Sequence, residues 1–391
     1  MPLHKSSMRK RIVWILRLAL FHSLIVSNLF AGTGTTALNF LQENMSARLV
    51  GMGGLSAAVP DDSGSMQTNP AGLAFMQRPE MNLSYLSSND QSRYAFTAFA
   101  IPLKISRSIQ MAAGAGLLYY GAGNIDVNSP NGTTQSLNAE SDYAGMVSLS
   151  ARLNRWIAFG ITPKYVRSTL VEQYSANATA ADGGVLVVPF PSLLRGRVLL
   201  GAAFQNLGSQ VAYKTVQQNL PLIESLGITG RLFENEEYGS AIASAQGEQS
   251  YGEAIGYRFG GEYSFGGSED EVAFFLRGGY LINLNSQNFS AGVGVREKNF
   301  ELDYAFTNGV EVENTHRFTI VFKFGKYVQK KNNEKNQLLD IDKESKGETY
   351  ELIPPQKKEE NILLNEKDYQ GTSRYDLLKD KTLQKTDPKT K

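Results

Sequence analysis

The chain has 391 residues, a formal net charge of +1 and no cysteine. A balance this close to neutral argues against an electrostatic grip on nucleic acid, and the missing cysteines exclude disulfides, thiol catalysis and cysteine lipidation. Its 37 glycines, beside 20 phenylalanines and 18 tyrosines, suit many strands joined by tight turns, and the length fits two or three ordinary domains or one large β-barrel.

Residues 1–31 have the form of an export signal. "KSSMRKR" supplies the positive start and "IVWILRLALFHSLIVSNLF" the apolar stretch, with cleavage expected near Ala31. The alternative is a retained membrane helix, which Arg17 and His22 would interrupt. Residues 32–77 are rich in Gly, Ala, Thr and Ser and show little alternation. Within them "NPAGLAF" sets Asn69 where its side chain can cap a helix and Pro70 at the first helical position. A short helix is therefore predicted over 70–76. Asp61 and Asp62 before it read as a solvated turn, with a cation site as the alternative.

From 78 to 325 the pattern changes to period two, the strand signature. In "NFELDYAFT", Phe300, Leu302, Tyr304 and Phe306 share one face, while Glu301, Asp303, Ala305 and Thr307 share the other. "GYRFGGEYSF", "FSAGVGVR", "HRFTIVFKF" and "WIAFGITPKY" repeat the arrangement. Strands are predicted near 80–87, 93–102, 109–121, 142–153, 156–168, 184–190, 196–206, 256–266, 271–282, 288–296, 299–306 and 315–324. The stretch 211–251 reads as a long loop with some structure, two further strands being the alternative.

These faces fit an all-β, transmembrane antiparallel β-barrel better than a soluble sandwich. A strand of about 9–11 tilted residues crosses a bilayer. The polar faces, with Lys164, Arg258, Glu262, Arg277, Arg296, Glu301, Asp303 and Arg317, would then point into the lumen. From Lys326 to Lys391 the chain carries 15 Lys/Arg and 13 Asp/Glu in 66 residues. Such a segment buries too little apolar surface to offset its ordering entropy, and 326–391 is expected to be a disordered tail.

"SARLVGMGGLSAAVPDDSGSMQTNPAGLA" resembles the amino-terminal segment of the FadL-like outer-membrane barrels, particularly the PorV/PorQ branch. The matching pieces are Ala47-Arg48, Met52-Gly53-Gly54, Asp61-Asp62 and Asn69 to Leu73, in that order. "GAAFQNLG" and "ELDYAF…THRFTIVFKFG" are similar to a mid-barrel strand and the final hairpin of the family. The resemblance implies about 14 strands with the amino-terminal segment folded into the lumen as a hatch. Gly51, Gly53, Gly54, Asp61, Asp62, Asn69, Pro70, Ala71 and Gly72 become its hatch and gating candidates.

No catalytic or cofactor constellation emerges. His4, His22 and His316 cannot form a metal cluster, and "GAGNID" lacks the spacing of a dinucleotide loop. Glu301 and Asp303 could pass for paired acids, but strand neighbours in a charged lumen explain them. The resemblance implies a protein of the cell outer membrane, in contact with its lipid, that passively takes up small hydrophobic or amphipathic solutes. The alternative is an assembly partner in a type IX secretion system, with a periplasmic protein held through the 326–391 tail.

Overall fold

The computed structural model describes residues 36–325 apart from 61, 89–91, 105–108, 129–132, 155, 190–196, 236–238, 267–271, 285–286 and 310–313. The expected export signal, the charged tail and Asp61 lie outside the described residues.

Fourteen antiparallel strands close into one barrel. β1 (Glu80–Ser88), β2 (Arg93–Lys104) and β3 (Ile109–Gly121) lead to a separate hairpin of β4 (Asn124–Asn128) and β5 (Thr134–Asn138). β6 (Glu140–Leu153), β7 (Ile157–Leu170) and β8 (Tyr174–Val187) follow, then β9 (Val198–Gly208), β10 (Ile223–Asn235) and β11 (Gly239–Ser250). β12 (Gly256–Gly266), β13 (Ala273–Ile282), β14 (Gln287–Glu297), β15 (Phe300–Gly309) and β16 (Thr315–Lys323) complete the wall. β16 pairs with β1 from Lys323/Glu80 to Thr315/Ser88, so no strand edge is left open.

The strand pleat sorts residues as the alternation predicts, with oil outside. On β7, Phe159, Ile161 and Tyr165 are 42%, 52% and 56% exposed, whereas Ala158, Thr162 and Lys164 are 0%, 0% and 4% exposed. β13 exposes Phe274, Leu276 and Tyr280 and buries Arg277. A wall that shows its aromatic rings and hides its charges is matched to hydrocarbon rather than water. The other sheet among the described residues is the two-stranded β4–β5 hairpin, too small to be the second layer of a sandwich.

The stretch 211–251 overturns the expected long loop, because most of it is β10 and β11. β10 carries outward Leu226 and Ile228, but a bulge between Arg231 and Phe233 breaks its alternation. β11 turns Ala241, Ala243 and Ala245 outward and Ile242, Ser244 and Gln246 inward, so no contrast of hydropathy marks it as a strand. β8 starts at Tyr174, ten residues before the expected 184, because its inward face there is Ala176, Ala178 and Ala180 and its outward face holds Asn177 and Thr179.

Candidate functional site

Residues 36–60 and 62–76 lie within the bore. The barrel end that carries the 122–139 and 209–222 connections is its upper end, and β1 starts and β16 finishes at the lower one. The segment begins near the top, where Ala37 N–H donates to the Asn219 carbonyl at 3.0 Å. Asn206 Nδ2 donates to the carbonyls of Leu41 (3.3 Å) and Pro221 (3.1 Å), tying segment, loop and wall together. One turn lower, Arg317 pairs with Glu43.

A single-turn helix, α1 (Ala47–Gly51), then stands against β13–β16. Ser46 caps it by accepting from Leu49 N–H, and Ala47 N–H donates to Thr319 Oγ1 at 3.0 Å. Gly53 and Gly54 follow at φ +89° and +76°, a left-handed pair that L side chains rarely adopt. The chain crosses to β11, where Gln246 Oε1 accepts from Ser56 N–H (2.9 Å) and Ala57 N–H (2.8 Å). Asp62 accepts from Gly64 N–H (2.6 Å) and from Asn82 Nδ2 (2.8 Å) on β1.

The predicted helix start is a 3-10 turn over Pro70–Phe75, capped by Asn69, which accepts from Ala71 N–H at 3.1 Å. Asn69 Nδ2 also donates to Ala57 O at 2.6 Å, clamping this turn to the preceding crossing. Gly72 lies so close to Ser65 that an added Cβ would come within 2.6 Å of its hydroxyl. Thus Asn69, Pro70, Ala71 and Gly72 sit together on β6–β8, while Gly51, Gly53 and Gly54 sit across the bore on β12–β14.

Inward glycines of the wall make room for this path. A Cβ on Gly160 would strike Pro70, one on Gly184 would strike Asn69, and one on Gly201 would strike Ala57. One on Gly260 would strike Met52, and one on Gly279 would strike Gly53. In "GYRFGGEYSF" the alternation puts Gly260 on the polar face and Gly261 on the apolar one, and the inward phase of Gly260 was the available sign of close backbone approach.

The lumen has two chemically distinct halves. The half along β11–β16 is ionic. Arg48 of α1 reaches Glu262 through two bonds of 3.0 Å. Arg277 bonds Glu262 at 2.7 Å and Asp303 at 2.5 Å, and Lys323 bonds Glu301 at 3.1 Å. Arg258 holds Glu248 through two bonds and donates to the Gly53 carbonyl at 3.0 Å. Arg296 and Arg277 both lie over the Phe275 ring, at 5.2 and 5.0 Å. All eight sequence-predicted lumen charges face inward, and seven of them gather in this half. Lys164 stands apart on β7, paired with Asp182 at 2.6 Å and donating to Asn206 at 3.0 Å.

The other half, along β1–β3 and β6–β8, is apolar. Small wall residues such as Ala98, Ala112, Ala144 and Ala178 pack against Phe40, Leu41, Met66 and Leu73 of the segment. Tyr120 crowns this strip, its ring 4.6 Å from Tyr94 and 6.1 Å from Phe40. The strip reaches β6 at Met146, which with Met66 flanks Gly116. There the hydrogen-bond ladder of the wall is interrupted. β6 and β7 pair down to Met146/Lys164 and again from Leu149/Ile161, in one register, but the rows Val147/Pro163 and Ser148/Thr162 between them are unpaired. Proline has no N–H to give the ladder. Across the gap the Ser148 and Thr162 hydroxyls bond each other at 2.6 Å, while each residue keeps its ladder place on the far side, with Gly114 of β3 and Asp182 of β8.

Like the Lys164-paired Asp182 of β8, Asp142 of β6 is a buried acid of this half. Its strand neighbours are Tyr120 and Ser168, whose hydroxyl meets Tyr213 at 2.6 Å. Neither oxygen of its carboxylate makes a hydrogen bond of ordinary geometry among the described residues, although the Ser168 hydroxyl, the Thr169 N–H and the Glu140 side chain lie beside it. Asp142→Asn is therefore expected to stabilise the folded barrel by about 1–3 kcal/mol, read as a higher urea midpoint in detergent. A lower midpoint would show that the carboxylate is paired after all. Among the described residues no group of His, Asp and Glu could hold a metal ion.

The chain matches no family model, and no curated protein matches its sequence. Its structure is similar to the toluene transporter TbuX of Ralstonia pickettii at 15% identity and a TM-score of 0.48, covering 77% of this chain and 100% of that one. It is similar to the toluene transporter TodX of Pseudomonas putida at 11% identity and 0.48, covering 74% and 98%. A FadL homologue of Pseudomonas aeruginosa gives 10% identity and 0.47, covering 72% and 99%.

Proposed function

We propose that this chain is an outer-membrane barrel for passive uptake of small hydrophobic solutes, which enter at the upper end and leave sideways between β6 and β7. The oily outer wall supports a membrane position, and the longer upper connections support placing that end outside the cell. The ionic half closes the straight route, since passage there would separate buried ion pairs. The apolar half offers an oily solute the matching surface, from the aromatic crown at Tyr120 to Met146.

One observation carries the reading: this strip meets the wall where Pro163 leaves the ladder unpaired. An unpaired carbonyl in hydrocarbon is costly, so a break there is a weak seam. The 3-10 turn 70–75 backs that seam, which makes Asn69 to Gly72 the gating candidates and the glycines at 51–54 part of the fixed ionic anchor. The likeness of the amino-terminal segment to FadL-like barrels supports the same solute class, whereas its likeness to the narrower PorV/PorQ branch belongs to the secretion alternative. The secretion alternative drew on the 326–391 tail and the 211–251 stretch. The tail lies outside the described residues, the stretch is largely wall, and no described residue favours that reading.

Pro163→Ala restores the N–H and is expected to close the seam. Uptake of a labelled aromatic hydrocarbon by cells carrying the variant should fall severalfold, with the barrel at least as resistant to urea as the parent. An unchanged rate at equal surface abundance would rule out the lateral exit.

A further inference from the structure

The outer wall carries a groove of about 350 Å³ across β16, β1, β2 and β3, lined almost wholly by apolar atoms. The strand register shows how it forms. Two outward positions of β2, Ala95 and Thr97, are small, and they lie between Tyr85 and Leu83 of β1 and Tyr119 and Leu117 of β3. The small pair is the floor, and the large side chains are the banks. Phe318 and Ile320 of β16 widen the far bank beside Tyr85 and Leu83.

The two ends of the groove differ. One outward position below Thr97, Phe99 stands 47% exposed and blocks further descent. One position above Ala95 the same face carries Arg93, exposed, and the cross-strand row continues through Ser87 to His316. From Leu83 to Ser87 is four residues, about 13 Å of strand and, with the usual barrel tilt, about 10 Å of membrane depth. Half of a bilayer's hydrocarbon core is about 15 Å. The groove therefore serves one leaflet, the upper one, and ends in a cation at headgroup height.

We infer that this groove seats one acyl chain of an outer-leaflet lipid whose phosphate is held by Arg93. The inference rests on the membrane reading above. A second protein lying along the wall would need complementary surface through the whole hydrocarbon core, whereas Phe99 and Leu103 protrude in the lower half of β2. A guanidinium beside a dry groove matches a phosphate attached to a hydrocarbon tail, because it can bond two phosphate oxygens at once. The small floor lets the tail lie below the rim formed by the tyrosines.

The test reconstitutes the full chain into nanodiscs of dimyristoyl phosphatidylcholine doped with lipid A, with insertion checked first by heat-modifiable migration. Native mass spectrometry after release should then show one retained lipid A per barrel. Arg93→Gln should lower that retention about fivefold, the effect of one basic side chain at the membrane surface. Ala95→Trp, which fills the floor from the lipid side, should lower it at least as far. Lys214→Gln, which removes an exposed upper-end cation lying over the Tyr174 ring of β8, well away from the groove, should leave it unchanged. Equal retention in the parent and both groove variants, or phosphatidylcholine held as well as lipid A, would overturn the assignment while leaving the membrane reading intact. Failure of the parent to insert would overturn both.

Discussion

Replacing Arg277 by methionine is expected to cost about 3–5 kcal/mol of folding stability, the usual price of stripping one partner from a buried ion cluster. The guanidinium is fully buried and serves two carboxylates directly, Glu262 at 2.7 Å and Asp303 at 2.5 Å, with Glu301 4.0 Å away. Removing it leaves Asp303 facing Glu301 with no cation between them. Glu262 keeps Arg48, so Arg48→Met should be much milder: it removes a cation that is 15% exposed and leaves Arg277 in place. Urea unfolding of the barrel in detergent micelles, followed by the shift on unheated gels, measures both. The combination of Arg277→Met with Asp303→Asn should recover most of the loss, because Glu262 keeps Arg48 and Glu301 keeps Lys323, so no buried carboxylate then lacks a partner. An unchanged midpoint for Arg277→Met would mean that the cluster does not hold the wall and α1 together.

That cluster was half legible in the sequence. The alternation placed Glu262, Arg277, Glu301 and Asp303 on one face, since side-chain direction follows from counting by two. It gave no means of pairing them, because pairing needs the register between strands far apart in the chain and the position of Arg48 on the segment inside. The same counting found β12–β16 within a few residues of their bounds, where Phe, Tyr and Leu contrast with Arg, Glu and Ser. It failed on β11 and the upper part of β8, whose two faces are both built from Ala, Ser, Asn and Gly. In those strands the backbone is held by its neighbours, and the side chains carry no contrast to read.

The apolar half of the lumen was hidden for a related reason. Inward alanines at 98, 112, 144 and 178 look neutral in sequence, and a barrel interior is expected to be polar. They become an apolar strip only when Phe40, Met66 and Leu73 are laid against them. Pro163 was visible within "WIAFGITPKY", but its meaning depends on closure. In an open sheet a proline marks an edge; in a closed barrel, which has no edge, it marks a break in the wall.

The neighbouring glycines of β13 allow the sharpest test of the filled bore. Gly278 and Gly279 differ by one position and so face opposite sides. A Cβ on Gly278 meets nothing within 4 Å, whereas one on Gly279 would strike the Gly53 backbone and the Met52 carbonyl carbon. The segment cannot yield locally. Gly53 N–H is bonded to Ser290 Oγ at 2.9 Å, Gly53 O accepts from Arg258, and its φ of +89° leaves little conformational slack. Gly279→Val must therefore either unfold the wall or drive residues 52–54 out of the bore. The expected loss is about 3 kcal/mol or more, at the upper end of overpacking costs, accompanied by ion conductance across planar bilayers that the parent does not show. Gly278→Val adds an isopropyl group to the lipid face and is expected to change stability by less than about 0.5 kcal/mol, with the bore still closed. Similar behaviour of the two variants would mean that the segment does not press on the wall at Gly279, and the close seating of the hatch against its glycines would have to be abandoned.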